Sequence, residues 1–152
     1  MLQTWLAVLE SWAPVAALRQ STWGYPIVSG SHVLSLALMF GSIVVVDLRL
    51  AGRLRGLDRT ALVDALVPIA LYAFVVAAIS GLMLFAPAGR EYLGNPYFIA
   101  KLLLIVLAGI NALALHVTLR SGSAKSLLRV FGLSSLLLWC SVIFAGRMLA
   151  FG

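Results

Sequence analysis

Two histidines, four methionines, one cysteine and five carboxylates are all this sequence offers for coordination or proton transfer, in a chain that is 62% hydrophobic and 11% charged. His32 shares a helix face with Ser29, Ser35, Met39 and Ser42, which fall within about 80° of it at roughly 100° per residue. Such a polar stripe is costly against lipid and belongs in a bundle interior or against a partner subunit. Ser134, Ser141 and Met148 make a similar stripe farther along, and Met83 stands near the end of another apolar stretch. Imidazole with thioether is an axial pair for haem iron and also a soft ligand set suited to copper. His32, Met83 and Met148 are therefore the candidate metal ligands. Arg90, Lys101 and Arg147 lie toward the same surface, where cations could neutralise haem propionates or simply snorkel at helix ends.

A second polar grouping lies at the other end of the spans. Asp47, in the run Asp47-Leu48-Arg49, and His116 approach one level, where carboxylate and imidazole could form a proton relay or half of an ion site. The plainer reading pairs Asp47 with Arg49 or Arg120 at the headgroups and leaves His116 to cap a helix end. A haem clamped between His32 and His116 does not fit, because their helices run in the same direction and the residues differ in depth by roughly 20 Å. Asn111 sits deeper, where its amide needs an interhelical partner. Cys140 is the lone cysteine, so no disulfide or paired-cysteine metal spacing arises. There is no His-Glu-x-x-His, phosphate-binding glycine loop or nucleophile elbow, so a stand-alone enzyme is not expected.

The elements that must position these residues are long and apolar. Spans are expected at about 26–48, 64–87, 97–119 and 127–149, each near the roughly 20 residues needed to cross about 30 Å of hydrocarbon as a helix. They fill most of the 152 residues, giving a single membrane domain: an all-α, up-down-up-down four-helix bundle with short turns. Glycines 30, 41, 81, 109 and 132 suit close helix approach. Leu2, Trp5, Leu6, Leu9 and Trp12 recur at helical spacing before Pro14, so residues 1–24 are expected to hold an interfacial amphipathic helix, as an aromatic anchor or as a lid. Tyr25-Pro26 then opens the first span. The segment lacks the basic start of a signal peptide.

The net charge of +6 lies in arginines at helix ends, not on a continuous basic face, which argues against nucleic acid. Arg49, Arg53, Arg55 and Arg59 in the first turn and Arg120, Lys125 and Arg129 about the third outweigh Arg90 in the second. The positive-inside rule then puts turns one and three in the cytoplasm and both termini in the periplasm of a bacterial inner membrane. His32, Met83 and Met148 fall in the outer half.

The run Tyr25-Pro26, His32, Phe40-Gly41, Asp47-Leu48-Arg49-Leu50 and Gly52, with Asn95-Pro96-Tyr97-Phe98, Lys101, Asn111 and His116, resembles an uncharacterised family of short bacterial four-helix membrane proteins. It more distantly resembles the copper-resistance D-type membrane proteins, whose spans also contain isolated histidines. These likenesses imply fold and membrane location and hint at haem or copper. The expectation is a haem-b-binding or redox-associated subunit centred on His32; the alternatives are copper or small-solute handling and a cofactor-free scaffold. Its partners are the lipid bilayer and a second copy or redox complex.

Overall fold

The computed structural model describes residues 2–121 and 125–149. Its elements are the helices α1 (Leu2–Ser11), α2 (Ala13–Gln20), α3 (Gly24–Leu50) and α4 (Arg59–Phe85), a 3-10 turn (Ala86–Ala88), and the helices α5 (Gly89–Gly94), α6 (Pro96–Arg120) and α7 (Lys125–Met148). Among the described residues four helices are long and apolar enough to cross a membrane, each including one of the expected spans or nearly so. The protein is an all-α membrane helical bundle.

Local chemistry sets the helix ends. Asp58 caps α4 by accepting the Ala61 N–H at 2.7 Å, and Asn95 caps α6 by accepting the Tyr97 N–H at 2.9 Å ahead of Pro96. α3 stops at Gly52, whose φ of +83° lets the Gly52 and Arg53 N–H groups bond back to the Arg49 and Leu48 carbonyls at 3.1 and 3.0 Å. That paired return closes the orphan carbonyls of the last turn, and the left-handed backbone it needs suits glycine. The third turn includes residues 122–124, which lie outside the described residues.

α3 packs on α4 and α7, and α7 packs on α6; among the described residues α4 and α6 form no comparable packed pair. A central core of Met39, Ala73, Ala108, Trp139 and Val142 draws on all four long helices, with Phe74 edge-on to Trp139 at 6.2 Å between centroids. A second core at the arginine-rich end holds Val46, Leu50 and Leu128. Large apolar side chains such as Leu34, Leu71, Leu113 and Phe144 point outward, as lipid as solvent allows.

The predicted stripe on α3 faces inward: Ser35, Met39 and Ser42 are buried and His32 is half-buried. The stripe expected on α7 is displaced by one residue. Its buried face is Leu128, Gly132, Ser135, Trp139 and Val142, whereas Ser141 and Met148 are exposed. Ser141 can face lipid cheaply because its hydroxyl donates to the Leu137 carbonyl of its own helix at 2.8 Å.

The amino-terminal segment forms two helices, parted at Trp12 just before Pro14 in the first turn of α2. Leu6 is buried and would stand 3.1 Å from a Cβ on Gly89, so α1 leans on the turn after α4. Trp5, Trp12 and Trp23 remain 73%, 62% and 75% exposed, in keeping with an interfacial belt. The second turn contains the 3-10 turn and α5, where Phe85, Tyr92 and Phe98 stack with centroids 5.3 to 6.2 Å apart.

Candidate functional site

His32 lies eight residues into α3, about 12 Å along its axis, and faces the same depth of α4. Its Nδ1 is 2.9 Å from the carbonyl oxygen of Ala77 and 3.1 Å from the Ser80 hydroxyl. A carbonyl oxygen can only accept, so Nδ1 carries the hydrogen and the neutral ring presents Nε2 as its lone-pair nitrogen. Ser80 is oriented by its own bond to the Val76 carbonyl at 2.6 Å. Gly81 completes the slot: a Cβ there would stand 3.1 Å from His32 Cε1. The ring is thus held edge-on between two helices with a fixed tautomer.

Lys101 enters from α6. Its chain runs along Gly146 of α7, with Nζ 3.4 Å from where a Cβ at that glycine would be. Among the described residues no hydrogen bond or ion pair holds this ammonium. Gly81 and Gly146 therefore do similar work on α4 and α7: each gives a polar side chain room to lie against a helix.

The structure gathers His32, Ser80 and Gly81, sets Lys101 against Gly146 of α7, and leaves the thioethers partly exposed. Met83 lies one turn beyond Ser80 and lines a hollow of about 220 Å³ on the α3–α4 surface with Val28, Ser31, Val76, Ile79 and Ser80; it is 41% exposed. Met148, 40% exposed, and Arg147 stand in the last turn of α7. Ala77 and Ser80 were not singled out from the sequence. A backbone carbonyl carries no residue signature, and the serine's only hint was a hydroxyl in an apolar run.

At the other end Asp47 is 2% exposed and lies against α7 near Ser135 and Gly132. Its Oδ2 is buried without a hydrogen-bond partner among the described residues. Gly132 makes this approach feasible, since a Cβ there would stand 3.1 Å from the Asp47 carbonyl oxygen. Arg49 turns away and donates from Nε to the Leu57 carbonyl at 2.6 Å. His116 is on an exposed face of α6, so Asp47 and His116 occupy different surroundings. Asn111 donates from Nδ2 to the Phe131 carbonyl at 3.1 Å, the interhelical bond its depth required.

A family model described as "Family of unknown function (DUF6644)" matches residues 20–152. The chain belongs to the DUF6644 family. Among curated proteins and solved structures nothing matches it. The DUF6644 match takes in all four long helices, with His32, Asp47 and Lys101, and leaves out α1 and nearly all of α2. An uncharacterised family was the nearer of the two likenesses in the sequence, and no link to copper-resistance D-type proteins accompanies the match. Among the described residues no group of three or more histidine, cysteine or acidic side chains could hold a metal ion.

Proposed function

We propose that this DUF6644 protein is a haem-b-binding subunit of a bacterial inner-membrane redox system, with His32 Nε2 as the iron ligand and Lys101 as counter-charge for a haem carboxylate. The observation that carries this reading is the bond between His32 Nδ1 and the Ala77 carbonyl. Metal-bound histidines almost always give their second ring N–H to a carbonyl, carboxylate or water, which fixes the tautomer and makes the ligating nitrogen more basic. Haem would supply one-electron chemistry. The chain's own residues hold the imidazole, present Nε2 and set a cation in apolar surroundings.

Lys101 favours haem over a bare copper ion. The Lys101 ammonium, carried into apolar surroundings along Gly146 of α7, repels an added cation and attracts propionates, and in a low-dielectric interior both effects are stronger than in water. Arg147, at the end of α7, is a second cation toward the same surface. Copper handling is the second reading, supported by the exposed thioethers of Met83 and Met148 and by the more distant resemblance to copper-resistance D-type proteins. Loop charge supports a cytoplasmic basic end, with the termini and the His32 site toward the periplasm. Electron transfer needs a donor and an acceptor, so the working unit includes a redox partner beside the chain.

The test compares wild type and His32→Ala, purified from the same membranes in equal inserted amounts. Haem present in wild type and absent from the variant supports the assignment. Copper without haem, lost in the variant, moves the site to metal handling, and equal haem in both proteins removes His32 as ligand.

A further inference from the structure

The amino-terminal helices and the turn after α4 border an open, shallow cleft of about 400 Å³, separate from the histidine site and lined by Glu10, Arg19, Pro87, Ala88, Arg90 and Glu91. Two acidic and two basic residues line one opening. Its frame is built from the body of the protein: the Arg90 backbone N–H donates to Glu10 Oε1 at 2.9 Å, Leu6 packs against Gly89, and Pro87 and Gly89 are buried. The exposed indoles of Trp5, Trp12 and Trp23 are on the segment that forms one wall, and indoles settle at the headgroup layer. The cleft therefore opens where lipid headgroups are.

We propose that this cleft binds a zwitterionic lipid headgroup that carries a phosphodiester and a primary amine, as in phosphatidylethanolamine. Arg19 and Arg90 suit the phosphodiester, because guanidinium forks match phosphate oxygens. Glu10 and Glu91 suit the ammonium, which donates up to three hydrogen bonds. The formal charges of the four side chains cancel, so an anionic headgroup without an amine would meet two carboxylates with nothing to offer them. A trimethylated amine has the charge and lacks the donors. The primary-amine zwitterion alone satisfies both halves of the lining.

The test is native mass spectrometry of the full chain with phosphatidylethanolamine, phosphatidylcholine and phosphatidylglycerol of matched acyl chains, alongside Glu10→Gln and Arg19→Gln. Glu10→Gln keeps an oxygen to accept the Arg90 N–H, so α1 stays docked while the charge is lost. The expected result is a preference of about tenfold for phosphatidylethanolamine over the other two, abolished in both variants, with unchanged melting temperature. Equal retention of the three lipids, or a preference that survives both substitutions, would overturn the proposal. Complete displacement of the lipid by soluble glycerophosphoethanolamine would assign the cleft to a free solute and overturn the lipid assignment.

Discussion

Gly81 lies directly against the imidazole of His32: a Cβ at residue 81 would stand 3.1 Å from Cε1 and 3.6 Å from Nδ1. The glycine is what allows the ring to reach the Ala77 carbonyl. Gly81→Val is expected to push the imidazole from its slot and abolish cofactor occupancy while the apolar spans still insert. Gly81→Ala is milder, because the side chain it meets can give by a few tenths of an ångström. Haem per inserted chain measures both, and full occupancy in the valine variant would show that ring placement does not matter.

Lys101→Met removes the ammonium and keeps most of the side chain's bulk. If Lys101 holds a haem carboxylate as proposed, loss of that charge-assisted contact of about 1.5–3 kcal/mol is expected to weaken haem retention by roughly 10- to 100-fold and to leave the absorption bands of the remaining haem unchanged. Lys101→Arg keeps the charge and most of the retention. Competition by apo-myoglobin for the bound haem reads the difference. Equal transfer rates in wild type and Lys101→Met would remove the lysine from the site.

Gly132 is the contact point of α3 and α7, and its nearest neighbour is the Asp47 backbone, which cannot swing aside as a side chain can. Gly132→Leu is expected to lower stability by about 1–3 kcal/mol, as overpacked interiors do. Gly41→Leu is the control, since a Cβ there meets nothing within 4 Å. Thermal denaturation in detergent separates them: a large drop for the first and almost none for the second. Equal melting temperatures would mean that α3 and α7 are not closely packed there.

Span number, order and approximate limits were legible in the sequence, because runs of apolar residues near membrane thickness leave a helix as the economical choice. The inward face of α3 was legible too, through the spacing of His32, Ser35, Met39 and Ser42. The face of α7 was not. Ser134 and Ser135 are adjacent, and a serine that bonds its own helix, as Ser141 does, reports nothing about burial. At the site, the sequence supplied His32 and Lys101 and could not supply the Ala77 carbonyl. Asp47 was expected among the headgroup arginines. Its inward turn depends on Gly132 and Ser135, which are about 85 residues away along the chain and are joined to it only by the α3–α7 packing.

The arginine distribution makes the membrane orientation testable. In a Cys140→Ser background, Gly56→Cys, in the exposed first turn, is expected to react with an impermeant maleimide only after the membrane is opened. Glu91→Cys, in the exposed second turn, is expected to react in intact cells. The opposite pattern would invert the topology and put the His32 end in the cytoplasm.

The most direct measurement is an air-oxidised and dithionite-reduced absorption spectrum of gently purified protein, with iron and copper determined on the same sample. The account predicts a Soret band that shifts on reduction and iron equimolar with the chain. A sample that is inserted, folded and free of any haem band contradicts it, whichever other metal it holds.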